Sequence, residues 1–165
     1  MYPYNILCKI SDGKISMMNM YKHTQVGYLL IISYSAVILI LGILYIVTDF
    51  NPVALVGLLI MVIVLGLFAT LTVQVSEEKI KIQFGWGVIR KVILLKDIEA
   101  FRVVENPWYY GWGIRYTSSG WLYSVSGFSA IELQMKGGKL YRIGTDEPDN
   151  FAKVLDEALK KSSVD

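Results

Sequence analysis

Two long apolar runs stand near the start of the chain, and shorter alternating runs follow them. Val26 to Val47 reads VGYLLIISYSAVILILGILYIV, and Val53 to Val73 reads VALVGLLIMVIVLGLFATLTV; neither contains Asp, Glu, Lys, Arg or His. At about 1.5 Å per residue, roughly 20 residues of helix cover the ~30 Å hydrocarbon layer of a bilayer. Each run therefore reads as a transmembrane helix, with spans at about 26–48 and 53–73. So short a chain has too little other sequence to bury two such helices all round. Thr48-Asp49-Phe50-Asn51-Pro52 between them is a turn signal, with Pro52 suited to the first position of the second helix. A connection this short makes the two helices an antiparallel hairpin and leaves both termini on one side.

Charge sets which side. The turn carries Asp49 and no cation, whereas Lys9, Lys14 and Lys22 precede the hairpin and Lys79, Lys81, Arg90 and Lys91 follow it. The positive-inside rule then makes the chain a multi-pass protein of the cell's inner membrane with both termini cytoplasmic. The first run is too long for a signal peptide and a second follows it directly. Small residues dot the spans, and Gly42, Gly57, Gly66 and Thr70 are the candidates for close helix packing, with Gly66 and Thr70 at small-xxx-small spacing. That seam can lie within the hairpin or against a partner protein. No ionisable group lies in either run, which argues against an ion pathway through one copy. Residues 1–25 read as a cytoplasmic segment with a turn at Asp12-Gly13, the single cysteine Cys8 and the single histidine His23. Cys8 is a small hydrophobe or an acylation site, and it excludes an internal disulfide.

After the second run the period changes to two. KIKIQF (79–84), VIRKVILL (88–95), IEAFRVVE (98–105), GIRYTS, WLYSVSG, FSAIELQMK (128–136) and KLYRIG (139–144) alternate or are strand-rich, with turns at Gly85-Trp86-Gly87, Ser118-Ser119-Gly120 and Gly137-Gly138. About seven short antiparallel strands in series predict a barrel or sandwich. The period then becomes helical. In TDEPDNFAKVLDEALKK, Phe151, Val154, Leu155, Ala158 and Leu159 share a face, acids stand in the first turn, and Lys160 and Lys161 close the last. One amphipathic helix after a run of strands can plug a barrel end.

These segments resemble a known family. FGWGVIRKVILLKDIEAFRVV, GWGIR, SGWLYSVSGFSAIEL and GGKLYRIGTDEPDNFAKVLDEAL look like the bacterial pleckstrin-homology-like domain of small membrane-anchored proteins, over about residues 73 to 161. The resemblance implies an α+β, mainly β fold: an antiparallel barrel capped by one C-terminal helix. It implies no particular biochemical activity. The expected organisation is a cytoplasmic segment at 1–25, a membrane helical hairpin at 26–73 and a cytoplasmic domain at 74–165.

Composition narrows the function. Hydrophobic residues make up 54%, charged residues 18%, and the net charge is +2, too little to argue for a nucleic-acid partner. No phosphate loop, dinucleotide fingerprint, His-Glu-x-x-His or cysteine pair occurs, so no catalytic, cofactor or metal residue is assigned and the expectation is a non-enzyme. The aromatic stretch NPWYYGWGIRYTSSGWLYSVSG (106–127) has three readings. Its rings fill a β core; or Trp108, Tyr109 and Tyr110 sit at the membrane interface; or Trp112, Arg115 and Trp121 line a pocket in which Arg115 holds an anion. Lys79, Lys81, Arg90, Lys91 and Arg115 are the candidate contacts for an anionic lipid or a partner, against the plainer reading of a solvated strand face. The functional expectation is an interaction module, anchored in lipid by two spans, that binds a protein partner or itself. The alternatives are an accessory subunit of a larger membrane enzyme or transporter and an anionic-lipid sensor.

Overall fold

The computed structural model describes residues 19–162. The segment around Cys8 and Asp12-Gly13 lies outside the described residues. In chain order the elements are β1 (Asn19–Val26), α1 (Tyr28–Val47), α2 (Pro52–Phe68), β2 (Thr70–Ser76), β3 (Lys79–Phe84), β4 (Ile89–Leu94), β5 (Ile98–Glu105), β6 (Gly113–Thr117), β7 (Gly120–Ser124), β8 (Ser129–Met135), β9 (Leu140–Gly144) and α3 (Pro148–Ser162).

The strands form two sheets, sheet A ordered β1-β2-β3-β4 and sheet B ordered β5-β8-β9-β7-β6. This corrects the expected barrel of about seven antiparallel strands. Nine strands form among the described residues, no pairing there joins the two sheets, and β7 runs parallel to β9. The uncounted strands are β1 and β2. Both border the apolar runs, where a strand that enters a core is indistinguishable by hydropathy from a helix end that enters lipid.

That ambiguity also moves the span boundaries. Val26 is the last residue of β1 and pairs with Thr70, while Gly27 caps α1 and donates its N–H to Ala69 O at 2.8 Å. The second apolar run leaves its helix at Phe68, and Leu71 and Val73 are core residues of β2. Residues 19–26 are therefore the first strand of sheet A and not part of a separate leading segment. The hairpin is an insertion between two paired strands. The α1 helix has 20 residues and is long and apolar enough to cross a membrane; α2 is equally apolar but has 17. Neither has a buried residue, and each packs chiefly on the other. Asn51 caps α2 by accepting the Val53 N–H at 2.8 Å, with Pro52 in the first turn as its fixed φ suits.

The core lies between the sheets. Leu71, Val75, Ile80, Ile82 and Phe84 of sheet A face Ile131, Leu133, Ile143 and Tyr123 of sheet B. Helix α3 closes the gap with Phe151, Leu155 and Ala158 and touches β1, β2, β5 and β8. Thr145 Oγ1 accepts the Glu147 N–H before it, and the Tyr21 ring of β1 stacks on Phe151 at 5.6 Å. Burial, aided by Glu147 and Asp146, pushes the Tyr21 hydroxyl above its ordinary pKa, so it stays neutral.

The β3–β4 turn is pressed against α2. Gly85 has φ +48, donates to Thr70 O at 2.9 Å, and would drive a Cβ into the carbonyls of Gly66 and Leu67. Gly138 also has positive φ, but its Cβ direction is open. Gly85→Ala is expected to lower stability by about 1–3 kcal/mol through backbone strain, with the steric clash added, and Gly138→Ala by less. Thermal unfolding of both variants in detergent measures the difference; equal shifts would show that the contact with α2 does not constrain the turn.

Candidate functional site

Sheet A separates its cations by strand alternation. Cross-strand partners share a face. Gln83 pairs with Arg90, Lys81 with Val92, Lys79 with Leu94, and Lys22 with Gln74, which is itself opposite Lys81. Lys22, Lys79, Lys81 and Arg90 thus share the face turned away from the core. Lys91 does not join them. It pairs with buried Ile82, and its ammonium lies 5.3 Å from the centre of the Tyr141 ring of sheet B, a cation–π contact between the sheets. The Arg90 guanidinium folds back to donate to Gly87 O in the turn. The four strands of sheet A contain no Asp or Glu at all. Val92 and Leu94 are exposed among these cations on β4, and β4 is an edge strand.

Sheet B carries charge differently. One rung crosses all five of its strands: Arg102, Glu132, Arg142, Leu122 and Arg115. Glu132 is buried, and Arg142 donates to its Oε2 at 2.7 Å while Arg102 donates to its Oε1 at 2.7 Å. Arg142 is buried too, bonded to Asn106 Oδ1 at 3.1 Å and set 5.9 Å from the Tyr110 ring centre. Burial alone would raise the Glu132 pKa, but the bonds and charges of the two arginines outweigh it and hold the carboxyl below its usual range. Glu132 also lines a shallow cleft with Phe101, Arg102, Gln134 and Leu140. With both oxygens already engaged and the charge matched, this carboxylate is a structural group, not a free base.

The aromatic segment divides. Strands β5 and β6 are the opposite edges of sheet B, so residues 106–112 must cross it. Tyr110 is half-buried on that crossing, its hydroxyl 2.8 Å from Ser118 Oγ. Trp108 and Tyr109 point into solvent, packed edge-to-face on each other. Trp112 donates from Nε1 to Gly127 O, and Tyr123 and Ile114 enter the core. Arg115 is exposed and donates to Trp112 O at 3.1 Å, while Trp121 packs on Tyr116. The structure therefore does not gather Trp112, Arg115 and Trp121 into a pocket.

The small residues of the two apolar runs also part company. Gly42 faces α2, where a Cβ would stand 3.8 Å from Leu58 Cδ1; Gly57 has nothing within 4 Å. Gly66 lies under the Trp86 ring, whose Cη2 would be 3.0 Å from a Cβ at that position, and Thr70 is in strand β2. The Gly66/Thr70 spacing is thus no helix seam. His23 has a tertiary partner: its Nε2 is 2.6 Å from Asp146 Oδ1, and the pair ties β1 to the start of α3.

Sequence reasoning missed two features. One is the Arg102–Glu132–Arg142–Asn106 network; its signal was a single charged residue within each of two neighbouring strands, Glu132 in β8 and Arg142 in β9. The other is Trp86, with Val88 beside it: a bulky ring at the tip of a two-glycine hairpin is too far from any sheet core to be buried in it. Among the described residues no group of three or more His, Cys, Asp or Glu is placed to hold a metal. No family model, curated protein or solved structure matches the chain.

Glu132→Ala strands Arg142 as a buried charge and is expected to cost about 3–5 kcal/mol. Because the folded pKa is depressed, the stabilisation is full above the ordinary carboxylate range and is lost as pH falls through the lower folded value. Denaturant unfolding of wild type should show that acid-side loss, and Glu132→Ala should lack this part of it. Parallel pH profiles in the two proteins would exclude the ion-pair account.

Proposed function

We propose that this chain is a non-catalytic, pleckstrin-homology-like interaction module fixed to the cytoplasmic face of the inner membrane, with α1 and α2 both crossing the bilayer and both termini inside. In support, both helices are uncharged and unburied, and α2, at 17 residues, reaches the lower end of the ~17–25 residue range for a span. Their common base is built into sheet A. The β body is therefore held at a fixed height and angle above the lipid, as a docking surface requires.

The observation that carries the binding reading is the unpaired edge of β4, with exposed Val92 and Leu94 flanked by Lys79, Lys81 and Arg90 on a sheet without acids. Such an edge accepts an extended segment as a fifth strand, main chain supplying the bonds and alternate side chains the specificity. The complementary partner is a protein segment that alternates acidic and apolar residues. A second copy paired through its β4 fits less well, because it would bring its own Lys79, Lys81 and Arg90 to the same face and add like charge where an acidic segment would neutralise it. Lipid headgroups fit only part of the surface. Measured along β3 from the helix end, Lys81 is about 10 Å and Lys79 about 17 Å away, beyond the ~8 Å screening length. A second reading, an accessory subunit docked through its spans, is favoured by Gly57, which leaves bare backbone open on the lipid side of α2.

Photo-crosslinking in cells, with the full chain carrying a benzophenone residue at 92, 57 or 116, distinguishes these readings. Position 92 is expected to yield one dominant adduct whose contact peptide is acidic, abolished by Lys81→Glu with Arg90→Glu. A dominant adduct at 57 supports the subunit reading. Adducts at 92 no stronger than at exposed Tyr116 would eliminate the β4 edge as the site.

A further inference from the structure

The end of the β body from which the helices leave is ringed with exposed aromatic and apolar side chains from both sheets. Trp86 is 79% exposed and Val88 71%, in the β3–β4 turn beside α2. Trp108 is 79% exposed, Tyr109 65% and Phe128 49%, in the loops of sheet B beside α1. Their placement there follows from contacts. Gln25, three residues before α1, donates to Ser126 O at 3.1 Å, and a Cβ on Gly27 would stand 2.9 Å from Val125 O. Asn106 N donates to Phe128 O at 2.6 Å, which brings the start of the Trp108 loop to the same level. Trp86 goes further, its ring lying on Gly66 within the last turn of α2.

Lengths decide how this ring meets lipid. Helix α1 spans about 30 Å but α2 only about 25 Å, so α2 is roughly 5 Å short of the hydrocarbon thickness. A short span draws its flanking residues towards the bilayer. Those flanks here are Ala69, the Trp86 turn and the ring of apolar side chains. The backbone at this depth is already satisfied: Gly27 N bonds to Ala69 O, Gly85 N to Thr70 O and Gly87 N to Phe84 O. Trp and Tyr gain from the headgroup layer, where a ring sits in apolar surroundings and its N–H or O–H in wet ones.

We infer that Trp86, Val88, Trp108, Tyr109 and Phe128 form a second membrane contact, seated in the headgroup layer on both sides of the helix pair. The surface recognises a lipid bilayer and fixes the tilt of the β body. The inference rests on the membrane reading above. The molecule supplies its own control: Trp121 is also exposed, but it lies at the opposite end of sheet B, packed against Tyr116 at 5.5 Å.

The test uses the full chain in phosphatidylcholine–phosphatidylglycerol vesicles that contain lipids brominated near the carbonyl region. Tryptophan emission should be quenched, and Trp86→Phe with Trp108→Phe should remove most of the lipid-quenchable part while Trp121→Phe removes none. Both rim positions are solvent-exposed, so the substitutions leave the fold intact. A quenchable fraction unchanged in the double variant, or equally reduced by Trp121→Phe, overturns the rim contact. Leu39→Trp, on the exposed face of α1, separates this from the underlying reading. If lipids brominated at mid-chain quench Leu39→Trp while the rim stays dark to shallow quenchers, only the rim contact fails. If Leu39→Trp is also unquenched, the spans themselves fail.

Discussion

The hydrogen bond from Gly27 N to Ala69 O joins the two halves of this protein. Below it, β1 and β2 pair in register from Val26 and Thr70 down to Tyr21 and Val75; above it, the same two chain segments become helices. Paired strands stand about 5 Å apart, whereas packed helices need 8–10 Å between axes. The chain must diverge within one residue on each side, at Gly27 and Ala69. Gly27 is confined there by the Val125 carbonyl, so a side chain would break the junction. Because the two strands of one ladder feed the two helices of one hairpin, neither half can rotate freely against the other.

From that junction the rest of the surface acquires direction. Sheet A begins at the hairpin, carries cations without acids and ends on the open β4 edge. In sheet B, Glu132 lies between Arg102 and Arg142, and Asn106 and Tyr110 close over the buried Arg142 guanidinium. One sheet thus leaves its charge available to an outside group, while the other consumes it in holding the 106–112 crossing in place. Helix α3 and the His23–Asp146 contact brace β1 from the far side, so the first strand is fixed by its tertiary partners even though its own sequence alternates weakly.

The helix pair, the start of its second helix at Pro52, the strand-joining turns and the final amphipathic helix were legible from the chain because each depends on neighbours within a few residues. The limits of the spans were not. The residues TLTV at 70–73 continue an uncharged run from the helix before them, and pairing with β1 and β3 makes them a strand. Likewise WYYGW reads as one aromatic cluster, yet Tyr110 turns onto sheet B while Trp108 and Tyr109 turn outward. That division follows from the strand order, which sends this loop from one edge of the sheet to the other.

What the sequence alone determined is local: helix against strand period, turns forced by glycine and proline, two long uncharged runs, and the residues available for contact. What the tertiary structure decided is which of these residues share a surface. It separated Lys91 from the other cations, removed Gly66 and Thr70 from the helix seam, brought Trp86 beside Gly66, and aligned Arg102, Glu132 and Arg142. Strand register and sheet order depend on residues tens of positions apart. A shift of one residue reverses every side chain, and no local pattern encodes which strand will lie beside which.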